Sequence, residues 1–555
     1  MVSVAAFAGE NLVRNGSFEG YTGDVSGSWV SFSDSLTLDD WNTSSSVQIG
    51  FAASKNGTWF ANTCVTPDGN LAVFFNQAGS VSQENIVVSE AGIYSVSFKY
   101  VSRGGSYKDG VFYVEIDGAV VGDGIDVGSD KTLFRYAERR TYLPAGTHTL
   151  TIRHSDENNK RLNNSGGACS CIDAVLMQKV EDADNLVQNG SFEAYNGVFP
   201  HLYASFSSTL GPYGWEYVTE SQIGLADSTN GTWFASPCTM PDGDLALFFN
   251  RGGSISRQIT VAESGLHVVG FDYISRGQPS SKSNYQNGLF YLEIDDAVVG
   301  EPVDVGAVRT VFRTALWKVS LAKGSHTLTI RHSSENNVRG VTVFGDRKGD
   351  GACSAIDAVF ARKTDNLVLN GTFDFGKVTG TWKYSYEAAD AYDNPCWRDE
   401  GYVGLSETNN TWIATSVDAG KYGCFLQTAN YNTRQYPTAS LYQTFTVPSA
   451  GVYRVSFDYA GRPKYAGATV FARIYKGTDR TGVKVWEKSV VASGTASYAS
   501  FGADAHIRDT GAYTLEFYQE ELVNTGTTSN DKASVIDNVA IVYSRRLPGL
   551  MIVIR

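Results

Sequence analysis

The sequence predicts an all-β protein built as three tandem jelly-roll β-sandwich domains, and three observations carry that expectation. Hydrophobicity alternates with period two in segments such as YSVSFKYVS (Tyr94–Ser102) and HTLTIRH (His148–His154), while a sustained 3.6-residue period is scarce. Glycine is abundant, at 57 of 555 residues, and falls in turn phrases such as PDGN (Pro67–Asn70). An opening phrase also recurs: NLVRNGSFEGY from Asn11, NLVQNGSFEAY from Asn185 and NLVLNGTFDFG from Asn366. A chain of this length exceeds one hydrophobic core. Repeats of that spacing are tandem domains with separate cores, unlike solenoid repeats that share one.

The recurrences set the boundaries. Residues 1–10 form an N-terminal arm or signal remnant, 11–180 domain one, 185–363 domain two, 366–543 a divergent domain three, and 544–555 an apolar tail. Copies one and two track each other closely: NGTWFANTCVTPDGNLAVFFN (Asn56–Asn76) answers to NGTWFASPCTMPDGDLALFFN (Asn230–Asn250), and AGTHTLTIRHSDENN to KGSHTLTIRHSSENN. Copy three keeps landmarks only, such as AGVYRVSFDYAGR from Ala450 and SVIDNVAIV from Ser534. About eight short antiparallel strands per copy, with little helix, favour a two-sheet sandwich. In the strand after AGIY, the shared parity of Tyr94, Val96, Phe98 and Tyr100 points them to the core, as for Tyr453, Val455, Phe457 and Tyr459 in copy three. The junctions QKVEDAD and RKTD are short and polar, which holds neighbouring domains close.

A net charge of −13 without basic clusters argues against nucleic acid as a partner. No apolar run approaches the roughly 18 residues of a membrane span. The N-terminus MVSVAAFAGE carries Ala6-Phe7-Ala8, the A-x-A pattern of a secretory signal end, without a basic n-region; a trimmed signal and a chance apolar arm both fit. In the tail, Pro548-Gly549 is a turn signal and LMIVI a β-prone run open to three roles, an added strand of domain three, a sorting or anchoring tail, or docking on other surface proteins, the last being the expectation.

Catalytic constellations are sparse. His148 and His154, repeated as His326 and His332, lie six residues apart on one strand, roughly 20 Å, too far to share a metal. Glu115 and Asp117 recur as Glu293 and Asp295 but become Arg473 and Tyr475 in copy three, so a solvated face is the better reading than an acid/base pair. No nucleophile elbow, H-E-x-x-H or phosphate loop occurs.

Binding chemistry is better represented. Trp59, Trp233 and Trp412 recur in the TWF/TWI segment, and Arg103, Arg276 and Arg462 recur at a strand end beside glycine-containing loops. With Asn76 or Asn250 and Tyr107 or Tyr285, they form a candidate ligand-binding set, since aromatic faces stack on sugar C–H surfaces while Arg and Asn read hydroxyls. Two other roles stand beside it: the tryptophans as core, the arginines as partners of acids in their own fold.

The motifs Asn15-Gly16-Ser17-Phe18-Glu19, Trp41 with Gln48-Ile49-Gly50, and Ile172-Asp173-Ala174-Val175 resemble those of the galactose-binding-like β-sandwich superfamily, which includes many carbohydrate-binding modules and cell-wall-associated domains. Copy two matches at Asn189 to Glu193, Trp215, Arg276 and Ile356 to Val359; copy three at Asn370 to Asp374, Trp397, Arg462 and Ile536 to Val539. The resemblance implies a structural Ca2+ in each domain where first and last strands pair. Its ligands would be Glu19 with Asp173, Glu193 with Asp357, and Asp374 with Asp537. The same acids could instead cap turns or face solvent.

Seven cysteines are sorted by the repeats. Cys64 and Cys169 correspond to Cys238 and Cys353, both members are missing from copy three, and copy three has its own pair, Cys396 and Cys424. Paired presence and paired absence predict disulfides Cys64–Cys169, Cys238–Cys353 and Cys396–Cys424, leaving Cys171 odd, in an oxidising compartment. Buried free thiols are the alternative. The expected function is therefore non-catalytic attachment to polysaccharide or glycoconjugate by a secreted or cell-surface protein. A structural or adhesive surface protein and an enzyme of unrecognised type are the rivals.

Overall fold

The computed structural model describes residues 11–547 apart from 22–24, 26–28, 33–37, 46–47, 54–64, 104–109, 129–132, 156–167, 181–183, 198, 200–201, 208–209, 220–221, 228–233, 235–237, 277–287, 307–309, 334–352, 379, 387–391, 408–421, 432–433, 463–467, 493–497, 521–531. The chain packs as two compact units, 1–233 with 242–248 and 234–241 with 249–555. Among the described residues no helix is long and apolar enough to cross a membrane.

The first copy has more strands than the expected eight: β1 (Trp29–Ser31), β2 (Asn42–Ser45), β3 (Gln48–Ala53), β4 (Leu71–Asn76), β5 (Gly79–Val88), β6 (Gly92–Ser102), β7 (Val111–Ile116), β8 (Ala119–Val120), β9 (Ile125–Asp126), β10 (Arg135–Leu143), β11 (Gly146–Ser155) and β12 (Cys169–Lys179). They form a front sheet, β1-β3-β4-β12-β6-β10, and a back sheet, β2-β5-β11-β7-β8, with β9 beside β7. All pairings are antiparallel, the sandwich arrangement that alternation predicts. Phe18, Trp41, Val73, Phe75, Phe98, Phe112 and Ile152 fill the space between the sheets. Tyr94, Val96, Phe98 and Tyr100 are among them, as their parity requires.

The opposite parity is not left to solvent. Ala52, Ala72, Phe74, Val101, Phe134, Cys169 and Cys171 form a second buried cluster on the outer face of the front sheet. A strand apolar on both sides, such as β4 (LAVFFN), reads as a continuous run because both of its faces are covered.

Copy two repeats the pairings. Gly265–Ser275 lies between Arg313–Leu321 and Cys353–Thr364, as β6 does between β10 and β12. Gly324–Ser333 lies between Gly253–Val261 and Leu289–Ile294, as β11 does between β5 and β7. Copy three joins its two sheets differently. Its strand Arg398–Glu407 pairs with Thr438–Val447 through its first residues and with Tyr422–Tyr431 through its last, so both faces of the sandwich share one strand. The bend falls at Gly401, with φ of 82°.

The recurring opening phrase is a clasp. The Asn11 amide donates to the Val175 carbonyl at 3.3 Å, and its oxygen accepts from Val13 N and Met177 N at 3.1 and 2.9 Å. Asn366 does the same with Val539 O, Val368 N and Ile541 N. Asn15 stands at φ 49° and its carbonyl accepts from the Trp41 indole, as Asn189 does from Trp215 and Asn370 from Trp397. Gly16 donates no Cβ for good reason: one there would overlap the Val175 carbonyl oxygen, and Gly371 meets Val539 in the same way. The partner strand bulges at that point, with Ala174 at φ 52° and Asn538 at φ 49°, which fixes the small residue inside IDAV and IDNV.

The expected disulfides are corrected. Cys169, Cys171, Cys238, Cys353, Cys396 and Cys424 all carry free thiols; Cys64 lies outside the described residues. The reason is local: the Cys169 thiol donates to Asn76 Oδ1 at 3.1 Å, and Cys424 packs as a small apolar residue in the main core of copy three. Thiol titration in denaturant without reductant is expected to count all seven cysteines as free; five, three or one would restore one, two or three of the bridges.

Candidate functional site

The structure gives the acids expected to bind calcium another task. Glu19 Oε1 accepts from Asn70 N and Leu71 N, both at 2.6 Å, and Asp173 accepts from Asp68 N at 3.0 Å and Ala174 N at 2.7 Å. Together they pin the Pro67–Asn70 turn to the clasp. Glu193 likewise takes Asp244 N and Leu245 N at 2.8 and 2.7 Å, and Asp357 and Asp537 accept from the next residue, Ala358 N and Asn538 N. Asp374 is half-way to solvent at the third clasp. Among the described residues no three His, Cys, Asp or Glu are grouped so that they could hold a metal ion. Burial pushes the Asp173 carboxyl up to about 8 and that of Glu193 to about 7.

The histidines of HTLTIRH divide into two roles. His148 Nδ1 donates to Asp117 Oδ2 at 2.7 Å and Nε2 to the Pro144 carbonyl at 3.0 Å; both partners only accept, so the ring is held as imidazolium. His326 does the same with Asp295 and Ala322 O. Each histidine ties the turn after the β7 strand to the connection that carries the chain from the front sheet to the back sheet, and the hydrogen bond to Asp117 raises the His148 pKa. His154 instead faces Gln77 O and the Ser170 hydroxyl, which can donate back, and packs 4.8 Å from Phe112. In the matching His332, burial depresses the pKa to about 4, so the ring is neutral. Copy three replaces it with Gln519, which bonds Thr428 and Ser534 instead.

The sign of the pH dependence follows. A pKa raised by folding means the latch contributes fully below the unfolded value of about 6.5 and is lost as pH rises through the folded value. His148→Gln should lower the melting temperature at pH 5.5 and have a much smaller effect at pH 8.5. An equal effect at both would exclude the imidazolium.

Glu115 and Glu293, weighed as catalytic acids, pair with Arg153 and Arg331 at 2.7 Å, and those guanidinium groups cover Tyr113 and Tyr291 at 4.4 and 4.0 Å. A cleft of about 370 Å3 is lined by Asp123, Glu138, Arg139, Arg140, Gln188 and Tyr213. Its arginines are engaged, Arg139 by the Asp123 carbonyl and Arg140 by Glu138.

Among the expected ligand-binding residues, Trp59, Tyr107, Trp233, Tyr285 and Trp412 lie outside the described residues. Asn76 and Arg103 are brought together at one end of the front sheet. The Asn76 amide donates to Gln48 Oε1 at 3.2 Å, Cys169 donates to Asn76, and the Arg103 side chain hydrogen-bonds Cys169. Arg103 N, Arg276 N and Arg462 N bond Cys169 O, Cys353 O and Ala533 O, so the recurring arginine extends its strand one step along the closing strand. Asn250 occupies the Asn76 position in copy two, half-buried.

One recurring feature escaped the sequence reading. Each front sheet begins with a three-residue edge strand, and the same register position holds Trp29 opposite Ala52, Tyr203 opposite Ala226, and Trp382 opposite Ser406. Trp29 and Tyr203 are 44% and 47% exposed, and Trp382 is half-buried. Trp29 stands edge-on to Phe74 at 5.9 Å, and Tyr203 to Phe248 at 6.2 Å, which fixes each ring while leaving a face to solvent. The edge strand can sit so close only because Gly50 carries no side chain: a Cβ would enter the Val30 carbonyl, and Gly224 and Gly404 meet Ala204 and Lys383 identically. The signal was present: Trp29 and Tyr203 each precede the clasp tryptophan, Trp41 or Trp215, by 12 residues.

Residues 11–127 match one family model, described as Protein of unknown function (DUF642). No curated protein matches the chain. Among solved structures, TmCBM61 in complex with β-1,4-galactotriose is 18% identical, covering 33% of this chain and 100% of its own, with a TM-score of 0.23. The tandem CBM22-1–CBM22-2 of Paenibacillus barcinonensis Xyn10C is 13% identical over 62% of this chain and 97% of its own, at 0.19. The complex of plant peptide RALF23 with FER and LLG2 is 11% identical, covering 60% and 90%, at 0.26. The described strands of copies one and two form two-sheet antiparallel sandwiches.

Proposed function

We propose that this chain binds glycan, without catalysis of its own, through the aromatic edge strands of its front sheets. The observation that carries the reading is the aromatic ring at one register position in all three copies, exposed at Trp29 and Tyr203 and half-buried at Trp382. A rigid ring with one free face presents apolar area to sugar C–H groups at little entropic cost, and the neighbouring amides can read hydroxyls. Three such sites, on domains 11–180, 185–363 and 366–543, engage a polymer with avidity beyond that of any one. A protein of this kind works outside the cell or on its surface, where polysaccharide is found.

A spacer role is supported by the contacts that clip consecutive copies. The Lys99 ammonium lies 4.1 Å over the Tyr195 ring, and Tyr136 N donates to Asn196 Oδ1 at 2.9 Å. Farther along, Lys318 Nζ donates to Asn366 O at 2.8 Å. Spacing and binding are compatible within one chain.

Affinity electrophoresis of the full chain against a panel of neutral and acidic polysaccharides tests the reading, with retardation by at least one expected. Because the clasp acids are engaged by backbone donors, the retardation is expected to survive EDTA. No retardation by any member, with self-assembly or protein capture instead, would favour the structural rival.

A further inference from the structure

The third copy departs from the other two in the lining around the edge-strand ring. In copy one, Ser31 lies opposite Gly50, and Gln48 opposite Asn76. Copy two keeps these residue types as Ser205, opposite Gly224, with Gln222 and Asn250. In copy three Tyr384 lies opposite Gly404 and Tyr402 opposite Gln427. A serine and an amide have thus become two tyrosines.

Those tyrosines build a column. Tyr384 packs 5.3 Å from Tyr402, 5.3 Å from Phe425 and 5.5 Å from Trp382, and its hydroxyl donates to Gln427 Oε1 at 2.5 Å. Tyr386 stacks on Tyr384 at 5.0 Å with 16° between the rings, lies 5.5 Å from Tyr402, and is 57% exposed. The column is therefore anchored in the core cluster at Phe425 and ends in an open ring, with no charged side chain among its members.

We propose that copy three takes a different glycan from copies one and two: an uncharged, β-linked chain of all-equatorial sugars, of glucan or xylan type, laid against Tyr386 and Trp382. In such a sugar every hydroxyl is equatorial and the C–H bonds point above and below the ring, so both faces are apolar and match consecutive aromatic surfaces. The single ring and amide-lined surround of copies one and two suits a sugar held through its hydroxyls. One chain thereby ties two kinds of polysaccharide together. This inference rests on the glycan-binding reading above.

The test compares the full chain with Tyr386→Ala and with the Trp29→Ala/Tyr203→Ala double variant in gels containing hydroxyethylcellulose, arabinoxylan or one of the other polysaccharides that retard the wild type. Tyr386 is exposed, so its variant should melt as the wild type does. Y386A is expected to weaken retardation by hydroxyethylcellulose or arabinoxylan at least fivefold and leave the other polysaccharides unaffected, with the double variant doing the converse. If both variants weaken the same polysaccharides by the same factor, or Y386A weakens none, the division of ligands is overturned. If the wild type is retarded by nothing, the glycan reading itself has failed and takes this inference with it.

Discussion

Gly16→Val is expected to unfold the first copy while leaving the rest of the chain folded. The valine Cβ would have to occupy the place of the Val175 carbonyl oxygen, which accepts from Asn11 and lies beside the Val175 N–H that donates to Gly16 O at 2.9 Å. The clasp closes the ends of the domain, so the clash cannot be relieved by moving a single side chain. The destabilisation should be about 4 kcal/mol or more, at the extreme of single-substitution effects. Calorimetry should show one transition lowered or lost. Val87→Thr, at a site 64% exposed, should stay within about 0.5 kcal/mol of the wild type.

Gly50→Val is expected to act on fold and ligand together. Its side chain would displace β1, the edge strand whose backbone crosses Gly50, and β1 carries Trp29. Because β1 adds to the main core between the sheets only through the partly buried Val30, the loss should be about 2–3 kcal/mol, short of unfolding. The contribution of copy one to glycan retention should vanish as it does for Trp29→Ala, about tenfold for one well-packed aromatic anchor. Retention equal to that of the wild type, with β1 displaced, would place the ligand elsewhere. Alanine at Trp29 leaves β1 in place, which separates the two causes.

The fold was legible because its signals are periodic. Alternation around Phe98 and Tyr100 and turns such as Pro67–Asn70 require only local backbone geometry, and the structure confirms both. The role of the opening phrase was half legible. Its recurrence marked each sandwich, but the clasp needs Asn11 to meet Val175, and a 164-residue separation leaves no local trace. The second buried face was missed because Ser95, Ser97 and Lys99 look solvent-directed, although the same side of the strand carries Val101 into the outer cluster.

The cysteine pattern misled for a physical reason. Cys169 and Cys353 do recur at equivalent positions, but what the position selects for is a small, weakly polar side chain in a covered face, a role that Ala533 fills in copy three. Glu19 and Asp173 accept the N–H groups of the Pro67–Asn70 turn, a pairing across the chain that sequence alone does not show. The edge-strand aromatics were overlooked for the opposite reason. Three residues are too few for a period, and only register pairing shows that Trp29, Tyr203 and Trp382 are one position.

The central claim is that these three rings carry glycan binding. The most direct measurement is the retardation of the Trp29→Ala/Tyr203→Ala/Trp382→Ala variant by a polysaccharide that retards the wild type, alongside its melting curve. Retardation falling at least tenfold with the melting transitions preserved is the predicted result. Unchanged retardation with preserved transitions would contradict the claim.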